Sequence, residues 1–144
     1  MTRTIRRLLV GLALLSLPTL VTAGDLVLIA HPSVKATSVP RSQAARFFLR
    51  QATTWPDGEH VKPVDQVRTT SVRQDFTRVV LKRTLAEVES FWTQAIFSGR
   101  AVPPPQKKND DEVLAYVRDT PGAIGYVDAS ASLDGVKKLT LEED

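Results

Sequence analysis

The stretch Thr120-Pro121-Gly122-Ala123-Ile124-Gly125-Tyr126-Val127 decides how this chain is read. Pro121 and Gly122 stand together as breakers, so a preceding helix ends there. Ala123 to Val127 then run without polar alternation, which fits a strand buried on both faces. Leu26-Val27-Leu28-Ile29-Ala30 is a second run of this kind. His31-Pro32 closes it, because proline drives the preceding residue out of the helical region.

Between these strands the chain reads as mostly helical. Residues 33–39 read as a loop. Pro40 to Arg50 reads as a helix, since proline suits a first turn and Ala44, Ala45, Phe47, Phe48 and Leu49 give it an apolar face. Trp55-Pro56-Asp57-Gly58 is a turn cluster. Val61-Lys62-Pro63-Val64 reads as a strand that lies at an edge or is irregular, because Pro63 has no N–H for a ladder. Val72, Phe76, Val79 and Val80 share one face of a helix over 72–82. Thr84 to Glu87 has the form of a capping box and starts a helix burying Leu85, Val88, Trp92, Ala95 and Ile96. Gly99 stands at its C-terminus. Pro103-Pro104-Pro105 excludes regular structure at that point. Asn109 caps a fourth helix, with Asp110, Asp111 and Glu112 in a first turn that favours anions. Val136 to Leu141 forms a last short strand. The order β-α-β-α-α-α-β-β points to a small α/β layer structure with a mixed sheet.

Residues 1–23 read as a secretory signal. Arg3, Arg6 and Arg7 precede the 13-residue apolar run Leu8–Leu20, and Val21-Thr22-Ala23 offers small residues for cleavage after Ala23. The whole chain of 144 residues has 19 Lys+Arg against 16 Asp+Glu. Removing the three signal arginines leaves 16 of each sign, so the mature domain is neutral. No basic face for nucleic acid follows from that balance. There is no cysteine, which excludes a disulfide scaffold, a thiol nucleophile and a Cys-type zinc site.

Three stretches resemble the phosphate-type periplasmic substrate-binding proteins of ABC transporters. They are Ala44 to Leu49 running through Trp55-Pro56-Asp57-Gly58 to Val61-Val64, then Phe91-Trp92 with Phe97-Ser98-Gly99-Arg100, and finally Thr120–Val127. The resemblance covers roughly residues 25–130. It implies a type 2 periplasmic-binding-protein-like fold, a periplasmic location, and a small oxyanion ligand such as phosphate taken up by an ABC system. With 17 residues following Val127, it implies a single lobe, residues 24–144, of a family that closes two lobes on its ligand. Good pockets bury about 70–90% of a ligand's surface. A second copy or another periplasmic or membrane protein is therefore expected to supply the facing wall.

By the same resemblance, the oxyanion loop falls at Arg68-Thr69-Thr70-Ser71-Val72-Arg73. Hydroxyls and helix N–H groups there can hold an oxyanion, and Arg68 and Arg73 can add charge-assisted bonds. The family's loop glycine, which allows close backbone approach, is missing. The same residues can be read without a ligand, with Ser71 capping the helix and both arginines in solvent. On that reading the protein is a periplasmic adaptor for a transporter, channel or sensor. His31 and His60 lack metal-ligand spacing, and the 110–112 acids lack a calcium-loop pattern. Trp55 either packs over the sheet edge or forms an exposed patch. No catalytic motif appears, and no catalytic residue, metal site or cofactor is assigned.

Overall fold

The strand read from Ala123–Val127 is β6, Ala123–Asp128, in a computed structural model that describes residues 25–144. It pairs antiparallel with β1, Leu26–Ala30, placing Leu28 opposite Tyr126. The expected signal, residues 1–23, lies outside the described residues. Among the described residues four helices accompany the strands: α1, Arg41–Phe48; α2, Ser71–Val79; α3, Leu85–Phe97; and α4, Asp110–Asp119.

The main sheet is completed by β2, Ser38–Pro40, β3, Lys62–Pro63, and β7, Lys137–Glu142, in the order β2-β7-β1-β6-β3. It is mixed, with β3 parallel to β6 and β2 parallel to β7. β3 is an edge strand of two residues, as Pro63 requires. The 33–39 loop reading needs correction at its end, because Ser38 and Val39 join the sheet through β7. Three residues carry no periodicity to announce a strand. Two more short strands, β4 (Asp65–Gln66) and β5 (Gln106–Lys107), form a separate parallel pair. The triproline remains irregular, but the Pro105 carbonyl accepts from Asp65 N–H and so leads into that pair.

β1 and β6 are covered on both faces. Leu28, Ala30, Ile124 and Tyr126 join α1, α2 and α3 in the larger core. Ile29, Ala123 and Val127 face Val113, Leu114 and Val117 of α4 on the other side. Trp55 is core, 3% exposed, with its ring edge-on to Phe47 and its Nε1 donating to the Gly122 carbonyl. Two glycines set the approach of the elements. Gly122 has φ +80°, and a Cβ there would lie 2.2 Å from the His60 carbonyl oxygen. At Gly125 a Cβ would lie 2.9 Å from Val64 Cγ1 and 3.0 Å from Val113 Cγ1, so its absence lets α4 close on β6.

A buried polar network lies under the larger core. Arg73, on α2, pairs with Asp65 at 2.8 Å and also donates to the Gln66 carbonyl and Thr77 Oγ1. The other Asp65 oxygen accepts from the Tyr126 hydroxyl and the Gln66 N–H. Burial pushes the Asp65 carboxyl above its usual range, and the Arg73 charge with these donors pulls it back. Burial, then the Asp65 charge, drives the Tyr126 phenol well above its ordinary value, so it stays protonated and donates. Removing one partner of a buried pair strands the other charge.

Two outcomes are expected in urea unfolding. Gly125→Ala forces a shift of α4 and costs about 1–3 kcal/mol; an unchanged midpoint would contradict this packing. Arg73→Met costs about 3–5 kcal/mol. Adding Asp65→Asn to it then costs less than Asp65→Asn costs in the wild-type background. Strict additivity of the two would disprove the coupling.

Candidate functional site

Loop 67–70 links β4 to α2, and the chain folds there because Thr70 closes it. The Thr70 hydroxyl donates to the Val67 carbonyl and accepts from Arg73 N–H at 3.2 Å. Thr70, not Ser71, is therefore the N-cap. Ser71 becomes the first helical residue and is exposed. At α4 the cap is Asn109, whose side chain accepts from Glu112 N–H.

These two helix starts meet across one cleft of about 340 Å³. Thr70 and Ser71 line one side, Lys108, Asn109 and Asp110 the other, and Asp128 and Ser130 close it beyond β6. The cleft thus lies outside the carboxyl ends of β4 and β6, where ligands bind in open α/β sheets. Each helix start brings unpaired N–H groups and a positive dipole end. Gln66 also lines the cleft and ties its walls together. Its Nε2 donates to Asp110 Oδ1 at 2.8 Å and to the Tyr126 carbonyl at 3.1 Å. The second Asp110 oxygen accepts from Asp128 N–H. One Asp128 oxygen accepts from both the N–H and the hydroxyl of Ser130, and these bonds hold its carboxyl below the usual range.

The expected site residues divide into separate places. Thr70 and Ser71 enter the cleft, while Thr69 is exposed beside them. Arg68 and Arg73 instead border a neighbouring groove, with Trp92, Ile96 and Pro103. Arg68 is exposed and paired with Glu89 at 2.6 Å. Arg73 is not in solvent but buried on Asp65, because its guanidinium completes the network described above. Gln66, Lys108, Asp110, Asp128 and Ser130 escaped the sequence reading as cleft residues. Only Asn109 and the acids after it gave a local signal, and that signal was helix capping. His31 Nδ1 accepts from its own loop, at Ser33 N–H. No cluster of metal-ligating side chains occurs among the described residues. No described helix is long and apolar enough to cross a membrane.

No family model matches the sequence, and no curated protein matches it. Solved structures do match the fold. A Clostridium perfringens substrate-binding protein of the phosphate ABC transporter type, solved with bound phosphate, superposes with a TM-score of 0.65 at 17% identity. That match covers 81% of this chain and 44% of the other. PstS from Borrelia burgdorferi gives 0.63 at 15% identity, covering 82% and 47%. An ABC-type phosphate transport receptor from Vibrio cholerae gives 0.62 at 14%, covering 81% and 46%. The chain thus has the periplasmic-binding-protein-like α/β fold of phosphate ABC transporter substrate-binding proteins, over less than half of their length.

Proposed function

We propose that this chain is an exported solute-binding domain that holds a small oxyanion, phosphate or a relative of it, for ABC-type uptake. One observation carries the reading: two capped helix N-termini converge on a single cleft at the carboxyl ends of the strands. Free N–H groups at α2 supply the oxyanion shell, and the Ser71 hydroxyl and the Lys108 ammonium complete it. Thr69 is exposed beside this cleft, and Arg68 borders the neighbouring groove. Arg73 acts from behind, by fixing Gln66 and the start of α2. The neighbours of this fold are phosphate-transport binding proteins, and the shared fold is consistent with that ligand class. The cleft is open to solvent, so tight binding calls for a second wall from another copy or a partner protein.

A second reading is favoured by a different observation. Phe97 is 88% exposed, with Val102 at 67% and Ile96 at 53%. Three large apolar side chains around one helix end suit a protein contact, and on this reading the lobe serves as an adaptor.

A thermal-shift titration in phosphate-free buffer separates the two. Phosphate, sulfate, arsenate and molybdate are compared against chloride. A ligand at 100 times its Kd stabilises by about 2.7 kcal/mol, a rise of several degrees for this size. Ser71→Ala and Lys108→Ala are each expected to weaken binding by about tenfold, the loss of one charge-assisted bond. A flat response to all four anions at millimolar concentration would remove the oxyanion reading and leave the adaptor.

A further inference from the structure

The C-terminal end of α3 carries apolar side chains that the rest of the described chain leaves uncovered. Ile96, Phe97 and Val102 are the large apolar residues exposed among those described, Phe97 at 88%. They flank one turn, Ser98 to Arg100, in which every residue is exposed. A Cβ added at Gly99 would meet no atom within 4 Å, so the turn projects from the body of the domain. It is also held in place. The Arg100 N–H donates to the Ala95 carbonyl at 3.0 Å, and the Gly99 N–H to the Ile96 carbonyl at 3.1 Å. Pro103-Pro104-Pro105 stiffens the chain that follows. An apolar tip fixed in this way loses little freedom on docking.

Charge selects what the tip docks on. Residues 90–108 hold Arg100, Lys107 and Lys108 and no acid. Glu89, just before them, is taken by Arg68 at 2.6 Å. Arg100 stands between Phe97 and Val102 in the sequence and is exposed. Its Nε donates to Ser98 Oγ, and it forms no ion pair among the described residues. Lys107 lies over the Tyr116 ring and Lys108 lines the cleft, so these two add to the field rather than to the contact. Hot spots of protein interfaces are seated in well-packed pockets. Here the apolar groups project, with charge of one sign beside them. Aromatic and aliphatic side chains with basic neighbours suit the interface of an anionic bilayer.

We propose that the α3 end docks this domain on an anionic bilayer surface. Phe97, Ile96 and Val102 enter the interfacial layer, and Arg100 meets lipid phosphates. This docking is independent of what the cleft holds, and it gives the exposed apolar groups an occupant other than a protein.

The test uses residues 24–144, which hold every described strand and both cores and omit the apolar run Leu8–Leu20. The chain is sedimented with vesicles of phosphatidylcholine alone, and of phosphatidylcholine mixed equally with phosphatidylglycerol. Binding to the mixed vesicles is expected on the order of that of a single acyl chain, about 10⁴ M⁻¹. It is at least about tenfold weaker on the neutral vesicles, and it weakens between about 0.1 M and about 1 M salt as the Debye length falls from about 10 to about 3 Å. Phe97→Ser lowers binding by about tenfold, and Arg100→Gln by about fivefold. Both side chains are exposed, and an unchanged urea midpoint confirms that each variant folds. Equal binding to the two vesicle types, or binding that Phe97→Ser leaves unchanged, overturns the proposal. Binding to neither also overturns it and leaves the apolar end to the protein contact of the adaptor reading.

Discussion

A carboxylate sealed inside a protein must be answered there, and Asp65 sets that constraint for this fold. Its three donors come from three elements: the guanidinium of Arg73 on α2, the phenol of Tyr126 on β6 and the N–H of Gln66 on β4. Meeting all three fixes the register of a two-residue strand too short to hold itself. It also fixes where α2 begins. Phe76 stacks on the Tyr126 ring at 3.9 Å and an interplanar angle of 4°, so the apolar packing and the polar network share one residue. The loop before α2 is therefore positioned largely by Asp65, Arg73 and Tyr126, which do not line the cleft.

The parts of this fold that were legible in sequence are those governed by local physics. Ala123–Val127 and Leu26–Ala30 are apolar throughout because helices cover both faces of the strands. The Thr84 capping box forms with both of its bonds, since all its partners lie within four residues. Pro63 was confined to an edge by its missing N–H, and it lies at one. The short strands β2, β4 and β5 were illegible, because two or three residues show no period and their pairing is set by distant partners.

Arg73 shows how a local cue can be outweighed. It stands at i−3 from Phe76 and i−4 from Thr77, on the flank of the buried stripe of α2. That spacing marks a side chain drawn inward. Beside Arg68 in a hydroxyl-rich loop, the same residue points toward a ligand instead. The deciding fact is Asp65, eight positions away across a turn, and sequence spacing gives no reason to join them. The cleft itself is assembled from residues 66, 70–72, 108–110, 128 and 130. Four segments contribute, and each has an adequate local explanation as a cap, a turn or a strand end.

What the fold transmits and what it leaves free can now be separated. Backbone N–H groups at a helix start come with the architecture, so a helix-end anion site in general needs little from the side chains. A glycine-rich loop is one way to present such groups; here the first turn of α2 presents them with Thr70 as the cap. Side-chain acceptors do not come with the architecture. Lys108, Asp110, Asp128 and Ser130 belong to this sequence, and they set the charge and hydrogen-bonding groups around the cleft. The architecture thus supplies the N–H groups, and the side chains around them are where this sequence sets the character of the cleft.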